Sequence, residues 1–162
     1  KFLRLRPANF PTIRLAQLAR LLSQRHNLFS FLKDCQSLPI LRKFLKVSQS
    51  EYWQNHYHFG KKFDSPGKGL GKASVDNLII NTVTPLMISY GLKMDQQEYV
   101  EQAVGLLQQL PPEKNSITNV FKNLDLPQKN VFDSQAYIEL YNRYCLRKQC
   151  TNCTIGSFLL KR

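Results

Sequence analysis

The 162-residue chain lacks any apolar run near the roughly 18 residues that a membrane-spanning helix needs, so no span is predicted. Glycine and proline are scarce, at 7 and 8 residues, which argues against a disordered chain. Residues 1–6 are basic, but no apolar stretch follows them, so they do not read as a signal peptide. The first residue is lysine and not methionine, and the chain is read as excised from the C-terminal end of a longer protein. Acidic residues are missing from positions 143–162, where five Lys/Arg stand.

What is abundant is positive charge, +12 overall and unevenly spread. Residues 1–72 hold 14 Lys/Arg against 3 Asp/Glu, a net +11, whereas residues 73–142 hold 4 against 8, a net −4. Charge segregated in this way marks a face for phosphates, acidic lipid or an acidic partner. A solvated surface, or a face that docks on another part of the same parent protein, accounts for it equally. Four cysteines stand at 35, 145, 150 and 153, three of them close together. In a chain read as cytoplasmic, that clustering suits thiols or a metal better than a disulfide framework.

Hydrophobic spacing predicts an all-α domain of seven or eight helices, with no convincing strand series and no internal repeat. A basic helical subregion (1–59) comes first, then a glycine/lysine loop (60–73), a helical core (74–144) and a cysteine-containing basic tail (145–162). Residues 1–11 read as an extended arm punctuated by Pro7 and Pro11. A helix over 12–24 would bury Ile13, Ala16, Leu18, Leu21 and Leu22, with Thr12 as its cap. Short helices follow from Asn27 and from Ser37. Tyr52 and His56, and likewise Trp53 and Tyr57, are four apart, so on a helix each pair would share a face. Ser74 would cap an apolar helix that Pro85 kinks and Gly91 closes in a left-handed conformation. Asp95 with Glu98 reads as a capping arrangement for a helix over 95–110, and further helices are predicted over 116–124 and 133–144.

Three constellations carry chemical possibilities. The loop with Gly67, Lys68, Gly69, Gly71 and Lys72 precedes a helix start, where free amides and lysines suit an anion. A flexible linker explains it as well. It is not a phosphate-binding Walker loop, which would need glycine at Pro66 and Ser/Thr at Ala73. Around Tyr52, Trp53, His56, Tyr57, His58 and Phe59, aromatic rings beside lysines suit base stacking, and the histidines suit acid–base work. A core patch with its polar tips in water is the plainer account. Finally, Cys145-x4-Cys150-x2-Cys153 has a spacing at which thiolates converge on zinc or an iron–sulfur cluster, though a fourth ligand would have to come from elsewhere. Reduced, partly buried thiols are the alternative.

Two local strings resemble DNA-repair proteins. Gly69-Leu70-Gly71-Lys72 before Asn77–Asn81 is similar to the turn of helix-hairpin-helix proteins that grips a DNA phosphate. Residues 134–140 leading into the cysteines are similar to the helix before the iron–sulfur loop of endonuclease-III-type glycosylases. That family's first spacing is wider, and its loop has a fourth cysteine. Its catalytic lysine has no assignable counterpart here. A broader set of strings spans nearly the whole chain: residues 2–14, Tyr52-Trp53 with His56-Tyr57 and Phe59-Gly60, residues 77–83 with Pro85, Glu113-x-Asn115, and Ser134-Gln135 with the cysteine tail. This set resembles the C-terminal part of a family of uncharacterised bacterial proteins. Full-length members would run to about four hundred residues, which implies a further N-terminal domain as a partner for this segment. The resemblance implies no activity.

The first expectation is therefore a basic helical module that binds nucleic acid. Arg4, Arg6, Arg14, Lys61, Lys62, Lys68 and Lys72 would contact phosphates, Gly69 and Gly71 would bring backbone close, and Trp53 and Tyr57 would stack. The competing expectations are a DNA-repair-type enzyme fragment with metal on Cys145, Cys150 and Cys153, and a structural domain docking on the N-terminal part of its parent.

Overall fold

Pro11 opens the first helix, where its missing N–H is no loss. The computed structural model describes residues 9–64 and 69–160, the side chain of Leu159 excepted. Arg4, Arg6 and Lys68 therefore lie outside the described residues. The chain divides into two compact units, 1–103 and 104–162. The division falls at Ala103/Val104, not at the glycine/lysine loop where the composition changes.

Unit 1 begins with α1 (Pro11–Gln24), α2 (Leu28–Asp34), α3 (Leu38–Leu45) and α4 (Glu51–Asn55). The buried stripe of α1 is Ile13, Gln17 and Leu21, while Leu18 and Leu22 stay 47% and 52% exposed. The expected stripe is thus displaced by a polar residue. Gln17 is buried because its amide donates to Gln49 Oε1 at 3.2 Å, which removes the usual penalty of an unpaired buried amide. Thr12 does not cap α1; its hydroxyl donates instead to the Tyr57 carbonyl at 2.7 Å.

The helix conceivable over 52–59 ends at Asn55. The chain then extends into β1 (His56–His58), turns at Phe59-Gly60 and returns as β2 (Lys61–Lys62), with His56 opposite Lys62 and His58 opposite Lys61. Gly60 has φ +71°, a conformation that glycine adopts without a Cβ clash.

Helix α5 (Lys72–Leu78) starts two residues before Ser74, with Gly71 at its cap position. One wide π turn over Ile79–Val83 joins it to α6 (Thr84–Met94). The wide turn answers Pro85: a proline in the first turn of α6 has no N–H for the carbonyl one turn back, and a wider turn relieves the ring clash. Gly91 lies inside α6, not at its end. A Cβ there would come within 2.8 Å of the Gln96 carbonyl, so close backbone approach explains this glycine. The left-handed residue is Asp95, φ 53°, which ends α6. Asp95 is thus not the cap of α7 (Gln97–Gln109). Ile79, Val83 and Met87 fill the core together with Leu41, Leu45 and Val75.

Unit 2 takes the rest of α7, then α8 (Ser116–Asn123) and α9 (Val131–Leu140), a π turn over Tyr141–Cys145, a 3₁₀ turn at Cys150–Asn152, and α10 (Thr154–Leu160). Asn115 and Thr118 form a reciprocal capping box on α8. Asn130 caps α9 and moves its start two residues ahead of the expected one. Phe121 and Tyr137 stack at 4.6 Å between centroids. The expected tail holds a helix: Gly156 of α10 packs so closely on Cys150 that a Cβ would meet its carbonyl oxygen at 2.4 Å. The all-α class holds, with α10 added to the expected helices and the short β1–β2 ribbon as the described strand structure.

Candidate polyanion-binding surface

Residues 1–103 carry 15 Lys/Arg against 7 Asp/Glu, a net +8. Eleven of those basic residues are described, and among them Lys33 and Arg42 have carboxylate partners, Asp34 and Asp76. The other nine are Arg14, Arg20, Arg25, Lys43, Lys46, Lys61, Lys62, Lys72 and Lys93, with no ion pair among the described residues. Lys33 is the neutralised extreme. Its hydrogen bond to the Asp34 carboxylate, and then one to the Tyr99 hydroxyl, hold it above the ordinary lysine range.

Arg14 is held but not neutralised. Its Nη1 donates to Gln17 Oε1 at 3.0 Å and its Nη2 to Asn9 Oδ1 at 2.6 Å, both uncharged acceptors. The guanidinium borders a groove of about 490 Å³ between α1 and α5, floored by Leu18, Leu21, Leu70 and Leu78, with Ser74 and Asn77 as polar edges.

At the described end of the glycine/lysine loop, Gly69 and Leu70 pack on residues 47–48. Leu70 N–H donates to the Val47 carbonyl at 2.9 Å, and a Cβ on Gly69 would meet Val47 O at 2.7 Å and Ser48 Oγ at 2.5 Å. Gly69 is glycine because the loop lies on the backbone of 47–48, and its face is taken. Gly71 is open, and Lys72 is exposed beside it. Among the described residues, the element before the loop is the short strand β2.

The aromatic cluster divides in two. Tyr57 is 8% exposed, wedged against Phe10 and Phe63 with centroids at 5.8 and 4.5 Å. It is a core residue, its ring covered by its neighbours. On the other side, Tyr52 stacks on His56 at 4.0 Å, and half-buried Trp53 meets Tyr52 edge-on at 5.2 Å and Phe59 at 5.0 Å. Phe59, at the ribbon tip, is 80% exposed. Trp53 and Tyr57 thus do not present one shared face, and Phe59, named in the cluster but not among the expected contacts, is its most exposed ring. The turn at Gly60 was the available signal. His56 is buried, its Nδ1 2.8 Å from the Tyr52 carbonyl, which accounts for it without acid–base work.

In unit 2 the cysteines do not converge. Cys145 and Cys150 are exposed while Cys153 is buried, and among the described residues no three His, Cys, Asp or Glu side chains gather as a metal site. The reason is local: Cys145 ends the π turn, Cys150 opens the 3₁₀ turn, and Cys153 is buried directly before α10. The expected zinc or iron–sulfur ligand set is therefore not assembled here. Glu113 and Ser134-Gln135 do meet. Glu113 N–H donates to Ser134 Oγ at 3.1 Å and Gln135 Nε2 donates to the Glu113 carboxylate, joining the α8 and α9 starts.

Residues 1–116 match a family described as protein of unknown function (DUF2851). The chain belongs to that family. No curated protein and no solved structure matches it. The family match takes in all of unit 1, with its unpaired basic residues and aromatic ribbon, and stops short of the C-terminal cysteines. No helix among the described residues is long and apolar enough to cross a membrane.

Proposed function

We propose that the chain binds nucleic acid, or a polyanion of similar charge spacing, through the basic surface of unit 1. The observation that carries this reading is the set of nine described Lys and Arg side chains without carboxylate partners. Unpaired cations attract phosphates and release condensed counterions on binding. Arg14, Lys61, Lys62 and Lys72 are the described members of the expected phosphate contacts, and the reading places the protein in the cytoplasm.

The test is binding of a labelled oligonucleotide over a salt series. Affinity should fall linearly on a log–log plot, and each phosphate-contacting lysine changed to alanine should reduce the slope by about 1. Affinity unchanged between about 50 and 200 mM salt overturns the proposal.

A second reading rests on a separate observation. Leu15, Leu18 and Leu22 of α1 are 64%, 47% and 52% exposed and fall on one helical stripe. This supports docking of α1 on a preceding domain of the parent protein. Slower hydrogen exchange of α1 amides in the longer chain is expected, and equal rates in the two chains rule docking out.

A further inference from the structure

We infer that the ribbon tip selects single-stranded nucleic acid by stacking a base on Phe59. This rests on the polyanion reading and names the form of polyanion that the site takes.

Phe59 is 80% exposed although aromatic partners stand beside it: Trp53 at 5.0 Å and 70°, Tyr52 at 6.4 Å and 34°. Both rings stand against Phe59, yet most of its surface stays open to solvent. The tip is also held in place. Gly60 N–H donates to the Tyr52 hydroxyl at 3.1 Å, tying the turn to α4, and Tyr52 is itself stacked on His56. A supported ring of this kind loses little freedom when a ligand covers it.

The chemistry next to the ring identifies the ligand. Lys61 and Lys62 stand two and three residues on, across the Gly60 turn, and are exposed, with Lys61 Nζ 5.9 Å from the Phe63 ring centroid. Glu51 and Asp64 are the nearest carboxylates in sequence, and neither makes an ion pair with them. An exposed aromatic ring followed within three residues by two lysines without carboxylate partners matches a nucleotide, with a flat base and a phosphate one step away. In a duplex the base faces are already stacked on one another, so only a strand with splayed bases can cover Phe59. An anionic membrane would also attract lysines, but the tip presents a single strongly exposed ring, too little apolar area for stable insertion.

Trp53 is the one tryptophan of the chain and touches Phe59, so its fluorescence reports on the tip. The experiment titrates the full chain with oligo(dT), a duplex of equal length, polyphosphate, and phosphatidylserine-containing vesicles, at one salt concentration. Expected results are quenching of Trp53 by oligo(dT) and tighter binding of oligo(dT) than of the duplex. Phe59→Ala should weaken oligo(dT) binding about 5- to 150-fold, leave polyphosphate binding unchanged, and be rescued by Phe59→Trp. Because Phe59 is exposed, the alanine variant is expected to fold, and circular dichroism checks this. If oligo(dT) and duplex bind equally and Phe59→Ala changes neither, the single-strand inference fails while the polyanion reading stands. Binding to vesicles that depends on Phe59, without quenching by oligo(dT), assigns the tip to a membrane and also overturns it. No binding to any of the four probes defeats both proposals.

Discussion

Arg42 and Asp76 stand 34 residues apart and meet in a two-point ion pair, Nε to Oδ1 at 2.7 Å and Nη2 to Oδ2 at 3.0 Å. The pair joins α3 to α5 and is only partly exposed, with 28% of the Arg42 and 13% of the Asp76 side chain accessible. The planar guanidinium fits a carboxylate fork in a way that an ammonium does not. Asp76→Asn should therefore destabilise unit 1 by about 1.5–3 kcal/mol, and Arg42→Lys, which keeps the charge but not the two-point fork, should destabilise it as well. Urea unfolding followed by Trp53 fluorescence measures both. Variants as stable as the parent would show that the pair is only a surface contact.

Lys33 and Asp34 give the expected pH response of unit 1. Lys33 Nζ donates to the Tyr99 hydroxyl at 2.7 Å and lies 4.5 Å from the ring centroids of Tyr90 and Tyr99. Its ammonium lowers Asp34 below the ordinary carboxylate range, first through their hydrogen bond. The sign follows from linkage. A depressed carboxylate contributes stability above its unfolded pKa and loses it as pH falls through the folded value. Lys33, raised, contributes below its unfolded pKa and loses that contribution as pH climbs past the folded one. Melting temperatures measured below about pH 4 should fall more steeply for the parent chain than for Asp34→Asn, whose curve should be flatter. Identical acid slopes would remove Asp34 from the account.

The start of α8 concentrates polar bonds in unit 2. Asn115 Oδ1 accepts from Thr118 N–H at 2.9 Å, and Asn115 N–H donates to Thr118 Oγ1 at 3.0 Å. The Thr118 hydroxyl also donates to the Glu113 carbonyl at 2.9 Å. Asn115→Ala should cost about 1 kcal/mol. Thr118→Val should cost more, because it keeps the shape of a 1% exposed residue while leaving buried partners unsatisfied. Calorimetry of the two variants checks the order, and a reversed order would contradict it.

Burial orders the thiols. Cys145 and Cys150 are exposed, Cys35 is half-buried and Cys153 is buried. A thiol reagent added to the native chain should label Cys145 and Cys150 first and Cys153 last. Equimolar zinc should leave those rates unchanged, since the three C-terminal thiols do not converge. Joint protection of Cys145, Cys150 and Cys153 by zinc would restore the metal reading.

Helix periodicity was legible from the sequence wherever it depends on neighbours within a turn or two. The helices over 11–24, 97–109 and 116–123 appear near their expected places. The uneven charge was equally legible, because composition needs no fold to be counted. What tertiary structure alone decided were the long-range choices. Gln17 takes a core position in place of Leu18 because Gln49, 32 residues away, receives its amide. Gly69 packs on the backbone of 47–48, and Gly91 on Gln96. A reversal at Gly60 buries Tyr57 and presents Phe59. The cysteine spacing allowed convergence, but the turns that carry the three thiols point them to different surroundings. Local sequence sets which side chains a helix offers, whereas partners distant in the chain decide which of them are covered and which remain free to bind.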